Sequence, residues 1–269
     1  MFLIKKSTIY TLFLAFFLLG TSCNILDQKS PNDVAQEDVF KDADGLRSAR
    51  VGMYASLQQR DYYGATFSLV LDAHTDNGAT GGFDNIGLNE ISERRLTPSN
   101  LFVEQMWVAV YNVIAASNQI LANVDKITGL DKIEQNDIKG EALFVRALCH
   151  FDALRTWGEH WKAGSEFGIP VVKTIQTQKD VAARSSVAAS YDAIIADLTA
   201  AEGLVSDDDF ATAAFKGQGY VTQKAVRALL ARVYLYKGDK ANAAKYANIL
   251  INDTTFGLYD ATKINAVYA

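Results

Sequence analysis

Proline is scarce: Pro31, Pro98 and Pro170 are the three in 269 residues. That excludes a collagenous or Pro-rich extended chain. Cysteine is scarcer, and Cys23 and Cys149 cannot build a disulfide framework. The three histidines, His74, His150 and His160, are never four residues apart, so no HExxH zinc motif occurs. Basic residues are not in excess. With 26 Lys and Arg against 31 Asp and Glu, the net charge is −5, which opposes nucleic-acid binding. There is no GxSxG elbow, P-loop or Rossmann glycine pattern. After residue 23, no apolar run reaches the ~20 residues of a membrane span.

What is abundant is alanine, with 37 residues, the strongest helix former. Hydrophobic residues make up 49% of the chain, enough for a globular core and too many for disorder. The length suits one or two domains.

The N-terminus reads as an address. Lys5 and Lys6 precede an apolar run at 9–19, then Gly20, Thr21, Ser22 and Cys23. This is the layout of a signal peptide over residues 1–22. The stretch LGTSC resembles the lipobox of bacterial lipoproteins. That resemblance implies a lipidated Cys23 as the first mature residue, anchored stably if two or more acyl chains are attached. Cys149 is then left without a partner for an internal disulfide. Removing 1–22 takes away two lysines and no acid, leaving 24 basic and 31 acidic residues, a net of −7. Residues 23–41, polar and holding Pro31, read as a tether.

The body reads as a run of helices. Asp42 or Asp44 caps one that ends near Gln59. From Glu104, the residues Trp107, Val110, Tyr111, Ile114, Asn118 and Leu121 mark one helical face. A third helix covers about 134–157, and a fourth starts at Ser186 or Ser190. The last two span 222–237 and 240–252. Residues 230–246, LARVYLYKGDKANAAKY, match the tetratricopeptide pattern at Leu230, Tyr234, Gly238, Ala243 and Tyr246. Gly238 supplies the turn and the aromatics fill the gap beside it. The other pairs lack a 34-residue period, so the expected fold is all-α: stacked tetratricopeptide-like helical hairpins with long loop insertions. The insertions are 60–103 and 158–185, both too long for plain connections.

Catalysis finds little support. Asp72, His74 and Asp76 are spaced like a calcium loop, but the glycine falls one place late and Phe83 stands where a bidentate Glu is required. Paired carboxylates for glycoside hydrolysis cannot be picked out. The residues therefore call for no catalytic group, no metal and no cofactor. Binding is better served. Residues 61–95 combine the rings of Tyr62, Tyr63 and Phe83 with Asp76, Asn77, Asp84 and Asn85. Sugar rings stack on aromatic faces, and planar amides and carboxylates pair with hydroxyls. The same rings can instead plug the helical core, with the polar groups serving turns.

Several stretches together resemble the SusD/RagB outer-membrane lipoproteins of Bacteroidetes. They are the lipobox, WVAVYNVIAASNQIL (107–121), GEALFVRALCHFDALRTWG (140–158), GIPVV (168–172), SYDAIIADLTAAEGL (190–204) and KAVRALLARVYLYKGDKANAAKYA (224–247), in the family's order. Asn118, Arg146 and Gly158 match its motif positions. The resemblance implies a cell-surface lipoprotein of the outer membrane that binds glycan and acts as lid and partner of a SusC-like TonB-dependent transporter in nutrient uptake. It implies no enzymatic activity. In that frame 42–252 is the SusD-like N-terminal helical region. Residues 253–269 begin an incomplete C-terminal region, because family members are considerably longer. Two alternatives stay open: a peptide-binding RagB-like uptake component, and a lipid-anchored tetratricopeptide-type protein scaffold.

Overall fold

The computed structural model describes residues 39–75, 78, 86–206 and 219–253. The chain divides into two units, of which Phe40–Ala269 holds the described helices. The described residues of this unit form helices and turns and no strand, the all-α class expected from the alanine content.

Helix α1 is Ala43–Leu57. The Asp42 side chain accepts the Gly45 N–H at 2.8 Å, so Asp42 rather than Asp44 is the cap. Helix α4 (Leu101–Asn123) is capped by Asn100, and helix α5 (Lys132–Trp157) by Asp131. Helix α6 (Val187–Glu202) starts at Ser186, and α7 (Gln223–Lys237) at Thr222. Helix α8 (Lys240–Ile251) is capped by Asp239. Each cap accepts a backbone N–H that the first turn cannot satisfy internally.

Packing follows chain order: α1 lies on α4, α4 on α5, α5 on α6, α6 on α7 and α7 on α8. Helix α5 is buried along most of its length, with Ile138, Val145, Phe151 and Leu154 at 0–1% exposure. It is flanked by α4 and α6, so it has no solvent face to keep polar. The α7–α8 turn confirms the tetratricopeptide-like reading of 230–246. Gly238 sits at φ +84°, a left-handed conformation that disfavours any Cβ, and the Asp239 N–H closes on the Tyr234 carbonyl at 2.9 Å. Tyr234 and Tyr246 stack across the pair with centroids 5.8 Å apart.

The insertion 60–103 is not a plain loop. It opens with a π turn, Arg60–Gly64, followed by α2 (Thr66–His74) and later α3 (Ile86–Ser92). Helix α2 buries Phe67, Val70 and Ala73 at helical spacing. The surrounding glycines and the density of Asn and Asp masked that short stripe. The second insertion, 158–185, is irregular backbone with turns, here called the strap.

Candidate functional site

At the π turn, Tyr62 and Tyr63 are brought side by side, rings stacked at 4.2 Å. Both hydroxyls donate to Oδ2 of Asp152 on α5, Tyr62 at 2.6 Å. Arg155, one turn further on, donates to the other carboxylate oxygen at 2.9 Å. Asp152 is 1% exposed, so three donors replace its lost hydration. Burial, and the Asp152 charge second, push the Tyr63 hydroxyl far above its ordinary range, so it stays a donor. The Cys149 thiol lies 3.6 Å from the Tyr62 hydroxyl, and burial pushes it up as well. A thiol held protonated is not a nucleophile. Tyr62 has no exposed surface, which corrects its assignment as a stacking platform: a ring sealed in the core offers no face to a sugar. Tyr63 keeps 39% exposure. Asp76, Asn77, Phe83, Asp84 and Asn85 lie outside the described residues, as does Cys23.

A second cluster explains the motif residues Asn118 and Arg146. Arg146 makes a two-pronged pair with Asp197, both contacts 2.8 Å, and both side chains are 7% exposed. Its remaining donor reaches Asn118 Oδ1 at 2.8 Å and the Lys173 carbonyl at 3.2 Å. The Asn118 amide in turn donates to the carbonyls of Val172 and Thr174, each at 3.1 Å. These residues clamp the strap onto α4, α5 and α6. Gly158 stands apart from this clamp and ends α5, its N–H donating to the Leu154 carbonyl. A Cβ there would stand 2.7 Å from the Leu154 carbonyl oxygen.

His150 takes part through its backbone partner, not as a base. Its Nε2 accepts the Val172 N–H at 3.1 Å. Burial first, then the charges of Arg146 and Lys173, hold its pKa at about 3 against the ordinary 6.5. The neutral ring therefore stabilises the fold fully above pH 6.5. That contribution is lost as pH falls towards 3, where the unfolded chain takes up a proton that the folded chain refuses. Stability is expected to decline by about 1.4 kcal/mol per pH unit within that window from this group alone. His150→Gln, which keeps an acceptor without the titration, is expected to show a shallower acid decline in melting temperature. Equal slopes in the two proteins would remove His150 as the cause.

The open surface lies on the outer side of α4. One groove of about 310 Å³ runs between the π turn and the first half of that helix. Gln59, Asp61, Glu104, Gln105 and Asn112 line it over the apolar Leu101 and Val108. A second groove, about 190 Å³, lies between Tyr111, Ala115 and Gln119 and the strap residues Val172, Thr174 and Gln176. No lysine or arginine lines either. Reading only the inward stripe of this helix missed them. The signal was in its complement, the polar residues alternating with small apolar ones. No group of three metal-ligating side chains assembles among the described residues, nor is any described helix long and apolar enough to cross a membrane.

Stacked helical hairpins with open grooves of amides, carboxylates and small apolar side chains define a protein with the surfaces of a binder. The chain belongs to the SusD-like family: residues 24–235 match the family described as "Starch-binding associating with outer membrane". SusD-like protein P2 of Formosa agariphila is 27% identical over 253 residues, covering 93% of this chain and 46% of that one. A SusD superfamily protein of Bacteroides thetaiotaomicron superposes with a TM-score of 0.72 at 24% identity, over 83% of this chain and 49% of that one. A "Laminarin binding SusD-like protein" gives a TM-score of 0.62 at 21% identity, over 79% of this chain and 44% of that one. The chain thus spans about half the length of these relatives.

Proposed function

We propose that this chain is a lipid-anchored outer-membrane component that binds oligo- or polysaccharide and serves as lid and partner of a SusC-like TonB-dependent transporter in nutrient uptake. The observation that carries this reading is the match of residues 24–235 to a starch-binding, outer-membrane-associated family. Cys23, the thiol that follows the signal segment, is the anchor, and residues 23–41 are the tether. Cys23→Ala is expected to abolish palmitate labelling and release the protein from the membrane fraction. Retention with undiminished labelling would refute the anchor.

Glycan recognition is assigned to the 61–95 insertion. Asp76, Asn77, Asp84 and Asn85 supply hydrogen bonds, and Phe83 with the exposed part of Tyr63 supplies ring faces. Laminarin in a protein of the same fold supports a neutral-glycan class, and the net negative charge is in keeping with it. Glycan-array screening followed by calorimetry tests the assignment. Phe83→Ala is expected to weaken binding by about 1 kcal/mol, several-fold in affinity. Binding of peptides alone would replace the carbohydrate reading with peptide uptake.

A further inference from the structure

The outer face of α4 carries a regular pattern. Leu101, Val108 and Ala115 recur every seven residues, and Gln105, Asn112 and Gln119 recur every seven between them. Seven residues return to nearly the same face of a helix, drifting by about 20°, and advance about 10.5 Å. The face is open: Leu101 is 58% and Val108 49% exposed, with Asn112 and Ala115 also exposed. It joins the two grooves, the π-turn groove at the Leu101 end and the strap groove at the Gln119 end. From Leu101 to Gln119 the helix advances about 27 Å.

The chemistry of the face narrows what can lie on it. Among the described residues, the side-chain amides of Gln105, Asn112 and Gln119 make no hydrogen bond within the chain. Each has donors and an acceptor unspent. A helix packed on this seam would bury those amides unpaired, at a desolvation penalty for each, and would find only Val and Ala beside them at the second and third apolar positions. A ligand dense in hydroxyls suits it better: it gives and takes hydrogen bonds at each amide and lays its apolar ring faces on the small side chains. Asp61 and Glu104 border the first groove and no cation lines either, so the surface disfavours uronates and sulfated sugars.

We infer that the outer face of α4, from the π turn to the strap, is a track for an extended neutral or amino-sugar oligosaccharide. The inference rests on the glycan reading above and adds the surface and the ligand charge. The test is calorimetric titration of the whole chain with malto-, laminari- and chito-oligosaccharides, and with oligogalacturonates as the anionic comparison. Gln105→Ala with Asn112→Ala is expected to weaken the bound oligosaccharide about tenfold, two net hydrogen bonds' worth. Ala115→Arg, a long side chain laid across the track, is expected to weaken it as well. Circular dichroism melts of both variants should stay close to the parent, since Asn112 and Ala115 are exposed and Gln105 is only half-buried.

If an oligosaccharide binds and neither variant alters its affinity, the track is wrong. A loss on Phe83→Ala in that case keeps the glycan reading and places the site wholly in the insertion. If no neutral or amino-sugar oligosaccharide binds at all, both the track and the reading it rests on fall. Tighter binding of oligogalacturonate would overturn the ligand class.

Discussion

Arg146→Leu is expected to lower the melting temperature by roughly 6–20 °C, the range that corresponds to about 3–5 kcal/mol for a broken buried pair in a domain of this size. The substitution leaves Asp197, 5% exposed, as a carboxylate without its two guanidinium donors. Lys173 Nζ, 3.8 Å from Asp197 and on a 41% exposed side chain, is too distant and too mobile to replace them. Asn118 Oδ1 and the Lys173 carbonyl lose a donor in the same step. The decisive comparison is the double variant Arg146→Leu with Asp197→Leu. Removing both charges takes away the unpaired buried ion, so part of the lost stability should return. Melts of the single, the double and Asp197→Leu alone complete the cycle. A single-variant shift no larger than that of an exposed substitution would show that the clamp contributes nothing.

Gly168→Ala is expected to destabilise by about 1–3 kcal/mol through overpacking. A Cβ at this position would lie 2.4 Å from Ser190 Oγ, 2.5 Å from the Ser186 carbonyl oxygen and 2.7 Å from that of Ser185. Two of these are backbone atoms at the entry to α6 and cannot rotate away. Gly168 is also tied to its surroundings, donating its N–H to Ser185 at 2.9 Å and accepting from Arg184 at 2.6 Å. Backing away from the clash would therefore strain both bonds. Gly164→Ala is the control, because nothing lies within 4 Å of its Cβ position. It should be neutral or slightly stabilising through the unfolded chain. Chemical denaturation of the two variants measures the difference, and equal midpoints would refute the close approach.

The helices were legible where sequence offers two signals at once. Asp42, Ser186 and Thr222 each stand one residue before a helix and cap it, with an apolar stripe behind them. The Gly238 turn was legible because a left-handed residue between two alanine-rich stripes has few other uses. Helices α2 and α3 were hidden because they are 9 and 7 residues long, too short for a periodic pattern to stand out among glycines. The candidate site was less legible, for a different reason. An aromatic residue in a polar stretch can face a ligand or the core, and composition does not decide between them. Tyr62 went to the core because Asp152, on α5 and 90 residues away in sequence, gave its hydroxyl a partner there. Pairings at that range are set by packing and leave no local trace. Arg146 and Asn118 were singled out by resemblance, but their task, holding a strap from 54 and 56 residues away in the case of Asn118, emerges only in three dimensions.

The strap has a consequence for how the chain assembles. Its anchors are spread over three helices: Asn118 on α4, Arg146 and His150 on α5, and Ser190 on α6, whose hydroxyl receives the Ile169 N–H at 3.2 Å. No one helix presents enough of them to hold the segment. The strap can dock only when all three helices have met, so it orders late. Its backbone amides at Ile169 and Val172 thereby become gauges of the whole stack: their protection from solvent exchange tracks the integrity of the α4–α5–α6 layer, not of any local turn.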